Sequence, residues 1–311
     1  MHVVSTSHLP IDLAGQIAAA LPGTTVSVPA AGHVDLASLD LATADALVCL
    51  VRDRVDGAVI ARAPRLRLIA SCAVGVDNID LGAAAARGVA VTHTPDVLTE
   101  ATAELAFALM LAVARRLGEG ERLVRAHAWT GWALDQLLGV QLHGKTLGVV
   151  GFGRIGQALA RRAIGFGMTV IHASARPGCE PAELDALFAR ADVVSLHCPL
   201  TAATRHLVDA RRLALMPPRA ILINTARGDI VDEAALIAAL TAGRLFGAGL
   251  DVYVGEPAIN PALHTCPRLV LAPHLGSATI EARTAMAQLC ADAVIAVLSG
   301  GRPVTLVPRT A

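Results

Sequence analysis

Leu147-Gly148-Val149-Val150-Gly151-Phe152-Gly153-Arg154-Ile155-Gly156 is the stretch whose reading decides the fold. A short apolar run with β-branched residues reads as a buried strand. It breaks on glycines spaced G-x-G-x-x-G, and a helical pattern then runs over Ile155–Gly165. Gly151 permits a tight turn, Gly153 lets backbone approach a pyrophosphate, and Gly156 allows helix and strand to pack closely. The unpaired N–H groups at the helix N-terminus would face that anion. Alone the spacing is a weak signal; between a strand and a helix it points to a dinucleotide-binding unit.

Downstream the same alternation continues. Apolar runs at Thr146–Val150, Thr169–Ala173, Val193–His197, Ala220–Asn224, Ala248–Asp251 and Leu269–Ala272 read as strands. Helical segments at Ile155–Gly165, Pro181–Ala189, Arg211–Leu215 and Glu233–Thr241 separate most of them, as in a doubly wound parallel sheet. Upstream, strands are expected at Thr25–Val28, Ala46–Leu50, Leu66–Ser71 and Val89–Thr92, with helices near Pro10–Ala20 and Leu81–Arg87, which suits a smaller α/β layer. A helix from Thr99, its N-cap, to about Arg116 is apolar on every side over Ala106–Val113 and is expected to be buried all round. The last helix, Ile280–Leu298, and the tail Pro303–Val307 are expected to return to the first layer. The dinucleotide unit, 98–279, would then be inserted into a discontinuous domain made of 1–97 and 280–311.

Composition narrows the function classes. The chain has 311 residues, 54% of them hydrophobic, with Lys+Arg and Asp+Glu balanced at 26 each. No basic field exists to attract nucleic acid or an anionic membrane. The longest apolar run, Leu105–Ala114, is far too short to span a bilayer. Six dispersed cysteines without a Cys-x-x-Cys pair argue against a disulfide framework, and scattered histidines argue against a metal site. With no signal-peptide pattern at Met1-His2-Val3-Val4, a cytoplasmic location is expected.

The second strand of the dinucleotide unit carries a further signal. A carboxylate for the adenosine ribose is expected about twenty residues beyond the glycines. Here the strand runs into His172-Ala173-Ser174-Ala175-Arg176-Pro177, and the next acid is Glu180. Ser174 can donate to a ribose 2′-phosphate and Arg176 can clamp it, which favours NADP(H) while leaving NAD(H) open. The plain alternative is an Arg176 that points to solvent.

Three later stretches each place a chemically able residue just past a strand: Asn224-Thr225-Ala226-Arg227-Gly228, Asp251-Val252-Tyr253-Val254-Gly255-Glu256-Pro257, and Ala272-Pro273-His274-Leu275-Gly276-Ser277. The Arg227 guanidinium can hold a 2-keto carboxylate at two points. His274 can give a proton to the carbonyl oxygen, and Glu256 can accept its other ring N–H. Singly, each has a bland explanation: a surface ion pair, a turn contact, a core histidine. Together, at the ends of one sheet, they suggest a 2-keto acid reductase.

On these motifs, and on Val74-Gly75-Val76-Asp77 and Pro273-His274-Leu275-Gly276-Ser277-Ala278-Thr279, the chain closely resembles the D-isomer-specific 2-hydroxyacid dehydrogenases over nearly its whole length. The resemblance implies a doubly wound parallel Rossmann sheet inserted into a smaller flavodoxin-like α/β substrate domain. It implies that Arg227, Glu256 and His274 are catalytic, and that the Ala73-Val74-Gly75 backbone binds the substrate carboxylate. It also implies cofactor contacts from Gly151, Gly153, Arg154, Ile155, Gly156, Cys198, Pro199, Thr204, Thr225, Ala226, Asp251 and Gly276. Within the family, Thr94-Pro95-Asp96-Val97-Leu98-Thr99-Glu100, Trp129-Thr130-Gly131-Trp132 and the missing ribose acid are most like glyoxylate/hydroxypyruvate reductases. That likeness implies a homodimer in which Trp132 reaches the partner's substrate, the alternative being an aromatic that only packs the interface. Rival readings are a bulky or broad-range 2-keto acid reductase, a phosphoglycerate dehydrogenase-like enzyme, which usually carries the ribose acid, and a nucleotide-sensing corepressor.

Overall fold

The computed structural model of the chain describes residues 1–175 and 179–308. The chain divides into two compact units, one formed by Met1–Leu98 with the chain from Ala278 onward, the other by Thr99–Ser277.

The first unit contains β1 (His2–Ser5), α1 (Leu13–Ala20), β2 (Thr25–Ser27), β3 (Ala46–Cys49), α2 (Gly57–Ala61), β4 (Leu68–Ser71), α3 (Leu81–Ala86) and β5 (Ala90–Thr92). Its five strands are parallel in the order β2-β1-β3-β4-β5, the doubly wound flavodoxin-like arrangement. β1 corrects the sequence reading, which put no strand there. His2-Val3-Val4-Ser5 shows neither alternation nor a continuous apolar run, yet Val3 and Val4 are fully buried and the strand lies between β2 and β3. Successive strand residues face opposite layers, as the pleat requires. Ala46, Val48, Leu68 and Ala70 pack with Leu13 and Ile17 of α1 and with the long C-terminal helix, while Leu47, Cys49 and Ile69 pack with Ile60 and Ala84 on the other side. The tail beyond that helix returns to β5, where the Val307 N–H donates to the Val91 carbonyl at 2.8 Å.

The second unit opens with α4 (Thr99–Ala114) and α5 (Leu117–Arg125). It continues with β6 (Thr146–Val150), α6 (Arg154–Gly165), β7 (Thr169–Ala173), α7 (Pro181–Arg190), β8 (Val193–Leu196) and α8 (Ala210–Leu215), then with β9 (Ile221–Asn224), α9 (Glu233–Thr241), β10 (Gly247–Leu250), α10 (Ala262–Thr265) and β11 (Leu269–Leu271). The six strands are all parallel, ordered β11-β10-β9-β8-β6-β7. The chain therefore reverses its winding between β6 and β8, and ligands of such sheets bind outside the strand ends at that switch point. One layer is closed by α4 and α6, through Leu109, Val113 and Leu159; the other by α7 and α9, through Phe188 and Leu236.

α4 corrects a second expectation. Thr99 is its first helical residue, and Ala103, Ala106, Met110 and Val113 are buried, but Ala108 is exposed and Phe107 and Leu111 are half-buried. One side of this apolar helix is uncovered in the single chain. α11 (Ile280–Leu298) belongs to the first unit and starts at Thr279, whose hydroxyl caps the Ala282 N–H at 3.1 Å. Among the described residues, no helix is long and apolar enough to cross a membrane.

Candidate active site

The ends of β6, β8, β9, β10 and β11 bring most of the singled-out residues to one edge of the six-stranded sheet. At the end of β6, Gly151 has φ +91°, and a Cβ there would lie 2.7 Å from the Cys198 nitrogen and the His197 carbonyl carbon. The turn at β6 and the end of β8 thus meet backbone to backbone at the switch point, which only glycine permits. A Cβ at Gly156 would lie 2.5 Å from the Gly151 carbonyl oxygen, whereas nothing stands within 4 Å of one at Gly153, the N-cap of α6. The loop is packed tightly against its own fold and open toward the helix N-terminus that Arg154 and Ile155 begin.

Ser174 follows β7 and is half-buried, and Arg176 lies outside the described residues. Beyond β8, Cys198 is buried, which pushes its thiol up to about 11. The Thr204 hydroxyl is turned onto its own loop: it donates to the Pro199 carbonyl at 2.7 Å and accepts from the Thr201 N–H at 2.8 Å.

Beyond β9 the buried Asn224 shapes the arginine turn. Its Nδ2 donates to the Arg227 carbonyl at 2.9 Å, and its Oδ1 accepts from the Ala226 N–H at 3.0 Å. The guanidinium Nη1 donates back to the Ala226 carbonyl at 2.8 Å. Gly228 lies against the Tyr253–Val254 peptide so closely that a Cβ would fall 2.0 Å from the Tyr253 carbonyl carbon. The Val254 N–H in turn donates to Glu233 Oε1 at 2.8 Å. The arginine turn and the loop carrying Glu256 are therefore locked to one another.

Asp251, at the end of β10, is 1% exposed and holds the histidine loop. Its Oδ1 accepts from the Leu275 N–H at 2.6 Å, its Oδ2 from the Gly276 N–H at 2.8 Å, and its carbonyl from the His274 N–H at 3.0 Å. Burial pushes this carboxyl up to about 6 against the pull of those donors and of His274. Tyr253 is buried beside it, its hydroxyl facing the Ala272 carbonyl at 2.8 Å and the Leu250 carbonyl at 3.1 Å, so it ties β10 to β11. On α4, the Thr102 hydroxyl donates to the Gly276 carbonyl at 3.0 Å.

Within this frame His274 adopts φ +55°, a left-handed conformation that a non-glycine residue keeps only where its surroundings impose it. Its Nδ1 lies 2.7 Å from Glu256 Oε2, while Glu256 Oε1 accepts from the Tyr253 N–H at 2.7 Å. Burial works to raise the Glu256 carboxyl, but the His274 hydrogen bond, the Tyr253 N–H and the charges of His274 and Arg227 outweigh it and hold it below the usual carboxylate value. Among the described residues the Nε2 of His274 has no hydrogen-bond partner, and the side chain is 34% exposed. One ring nitrogen is fixed on a carboxylate and the other is unengaged among the described residues.

In the first unit, the Ala73 carbonyl accepts from the Thr94 N–H at 2.8 Å, and the Val74 carbonyl lies 3.0 Å from His93 Nδ1. The segment is held by its carbonyls, and among the described residues the Val74 and Gly75 amides have no backbone partner. In the second unit Trp132 is 80% exposed. Asn224, Tyr253, Glu233 and Thr102 were not singled out as site residues. They act on backbone groups, so their own spacing gives no warning; the one available signal was the position of Asn224 and Tyr253 inside the stretches that carry Arg227 and Glu256.

Residues 107–276 match the family described as D-isomer specific 2-hydroxyacid dehydrogenase, NAD binding domain. This chain belongs to that family. A glyoxylate reductase of Thermococcus litoralis is 52% identical over 277 residues, 85% of this chain and 84% of the relative. Among solved structures, the TT0316 protein of Thermus thermophilus superposes with a TM-score of 0.92 at 45% identity, covering 99% of this chain and all of that one. An NADPH-dependent glyoxylate/hydroxypyruvate reductase from Sinorhizobium meliloti, solved with NADP and malonate, gives 0.84 at 32% identity, over 99% and 97% of the two chains.

Proposed function

We propose that the protein reduces small 2-keto acids, glyoxylate and hydroxypyruvate, to glycolate and D-glycerate, with NADPH preferred to NADH. The observation that carries this reading is the His274–Glu256 pair: a histidine bound through Nδ1 to a carboxylate held ionised, with Nε2 unengaged, at the end of a dinucleotide-type sheet. The activities of the Thermococcus and Sinorhizobium relatives favour the same substrates.

The residues present suit a dinucleotide. The open backbone at Gly153 and the N-terminus of α6 fit a pyrophosphate, and the buried Thr225 hydroxyl has no partner among the described residues. Gly151, Arg154, Ile155, Gly156, Cys198, Pro199, Thr204, Ala226, Asp251 and Gly276 border the same strand ends and would complete the site. Bound there, the nicotinamide supplies the hydride for reduction of the carbonyl carbon. Arg227 binds the substrate carboxylate by charge-assisted hydrogen bonds. His274 Nε2 gives its proton to the carbonyl oxygen, and Glu256 fixes the ring and favours its charged form. The second unit is the dinucleotide-binding domain and the first the substrate domain.

No carboxylate lies between Gly156 and Cys179, and Ser174 stands where a ribose acid would repel a 2′-phosphate. A charge-assisted contact of about 1.5–3 kcal/mol gives an expected NADPH preference on the order of tenfold or more in kcat/KM. Steady-state assays with both cofactors and a panel of 2-keto acids test the reading, with Ser174→Asp expected to erode the preference. Efficient turnover of phenylpyruvate or 2-ketoisocaproate with little of either small acid would overturn the substrate assignment, and equal use of both cofactors would overturn the preference.

The uncovered side of α4 and the exposed Trp129, Trp132, Leu134 and Leu138 suit a two-fold dimer, in a cytoplasmic protein with its thiols reduced. In that dimer Trp132 reaches the partner's substrate. Sedimentation at micromolar protein is expected to give twice the chain mass of 32.0 kDa, and a monomer would refute it.

A further inference from the structure

The first unit contains a cavity of about 450 Å³, bounded by the end of α3, the start of β5, the end of α11 and the tail that returns along β5. Its walls are largely apolar: Leu66, Ala84, Val89 and Val297 are buried core residues, and Leu306 adds the tail side. Three arginines complete the lining, Arg67 just before β4, Arg87 just after α3 and Arg302 in the tail. Among the described residues, no Asp or Glu lines the cavity and none of the three arginines has an ion-pair partner. The neighbouring Asp45, whose carbonyl accepts from the Arg67 N–H at 2.8 Å, has its carboxylate engaged by Arg65 at 3.1 Å and by the His2 N–H at 2.7 Å. Two of the arginines are held in place. Arg67 Nη2 donates to the Val297 carbonyl at 2.7 Å, near the end of α11, and Arg87 Nη1 donates to the Ile60 carbonyl of α2. Each commits one donor to the fold and keeps the rest of its planar fork. Arg302 is exposed and has no hydrogen-bond partner among the described residues. Like charges gathered without a counter-charge repel one another, and an anion between them removes that cost.

We propose that this cavity is a binding site for a small organic anion with an apolar body, a carboxylate or phosphate monoester on a hydrocarbon chain. Its volume lies within the roughly 300–1,000 Å³ of small-molecule sites, which also share apolar walls with a few convergent polar groups. Guanidinium forks take carboxylate or phosphate oxygens at two points, and the apolar walls remove the chain from water. The tail wall is fixed to β5, because the Val307 N–H donates to the Val91 carbonyl at 2.8 Å and the His93 N–H to the Thr305 carbonyl at 3.1 Å. The site is also distinct from the substrate loop of its own unit. β4 and β5 are parallel; Arg67 and Val89 stand before these strands, whereas Ala73-Val74-Gly75 follows the opposite end of β4. An acid bound here is therefore not the substrate of the proposed reduction.

The test is calorimetric titration of octanoate into the full-length chain. One equivalent is expected to bind with a dissociation constant below about 1 mM. Affinity is expected to rise about three- to fourfold per methylene from butyrate to octanoate, as the chain is buried. Octyl phosphate is titrated in parallel, and the tighter of the two identifies the head group. Acetate and inorganic phosphate, which lack the chain, and octyltrimethylammonium, which reverses the charge, are expected to bind at least about tenfold more weakly than octanoate. Arg302→Glu is expected to weaken octanoate by at least about tenfold while melting with the parent, since Arg302 fastens nothing in the fold. Leu306→Asn, a second variant on the tail wall, is expected to flatten the dependence on chain length. Arg227→Ala, in the other unit, is expected to bind octanoate as the parent does. The proposal fails if octyltrimethylammonium binds as well as octanoate, if Arg302→Glu leaves affinity unchanged, or if Arg227→Ala abolishes binding. Binding is read without turnover, so its failure is separable from failure of the enzymatic reading.

Discussion

Each unit contains a histidine–carboxylate pair, and the two are nearly equal in length: 2.6 Å between His33 Nε2 and Asp53 Oδ1, 2.7 Å between His274 Nδ1 and Glu256 Oε2. Their surroundings separate them. Asp53 is 3% exposed and saturated, because its other oxygen also accepts from the Thr6 hydroxyl at 2.6 Å and the Leu50 N–H at 2.7 Å. Asn78 Nδ2 donates to the Asp53 carbonyl at 2.7 Å, so the whole group pins the loop after β3. Glu256 and His274 are each about a third exposed, the histidine backbone is left-handed, and one ring nitrogen remains unused. A saturated buried pair fastens a loop. A half-open pair with one ring nitrogen unused is the geometry that the proposed proton transfer requires.

Substitution of the two histidines is the most severe test of that contrast. His274→Ala is expected to lower kcat for glyoxylate reduction by about 10²–10⁴-fold, the usual size of a lost general acid. His33→Ala is expected to leave kcat and KM unchanged. It leaves a buried carboxylate short of one partner, which costs about 1–3 kcal/mol. Its melting temperature is then expected to fall by roughly 2–4 °C for each kcal/mol lost. Equal kinetic damage from both variants, measured alongside thermal melts, would erase the distinction.

The same contrast marks how far the sequence could be read. The glycine turn was legible because close backbone approach excludes other residues, and Arg227, Glu256 and His274 were legible because each stands just past an apolar run. β1 was not, since His2-Val3-Val4-Ser5 has only two adjacent apolar residues between polar ones, neither an alternation nor a continuous apolar run. The roles of Asn224, Tyr253 and Glu233 were hidden for another reason. They bond to backbone across loops that meet only after folding, and no spacing of side chains encodes that. Thr204 illustrates the reverse: motif position marks it as a ligand contact, and the fold directs its hydroxyl to Pro199. The saturation of Asp53 was equally invisible, because Thr6, His33 and Leu50 come together only in the folded sheet.

A milder effect is expected from pH, acting through Asp251. Its carboxylate holds the Leu275 and Gly276 N–H groups and hence the turn at His274. Burial raises its pKa to about 6, so it takes up a proton as pH falls through that value and becomes a poorer acceptor. Reduction is expected to decline by about tenfold for each pH unit below the midpoint. The stability sign is opposite: a raised carboxyl binds its proton more tightly in the folded chain, so the Asp251 contribution to stability improves over the same interval. Activity lost without melting is the signature, and Asp251→Asn is expected to abolish this limb while starting from a lower plateau. A limb unchanged in Asp251→Asn would assign it elsewhere.

The smallest expected effect lies in the stability of the active pair itself. Glu256 is held below the usual carboxylate value, so the ionised form is favoured by folding. Such a group stabilises the fold fully above its unfolded pKa, near 4.5, and the contribution is lost as pH falls through the lower folded pKa. Because the pair is partly exposed, solvent screening limits it to about 0.5–1 kcal/mol. Glu256→Gln keeps an oxygen for the Tyr253 N–H and removes only the charge facing His274. Its melting temperature is therefore expected to lie slightly below that of the parent at pH 7 and to converge with it in acid below pH 4.5. His33→Ala, whose cost is set by an unsatisfied buried carboxylate, is expected to hold a larger deficit at pH 7. Melts of the two variants across the same pH series compare the pairs directly. A Glu256→Gln deficit at pH 7 as large as that of His33→Ala would make both carboxylates structural fastenings, and the proposed role of Glu256 in proton transfer would lose its physical basis.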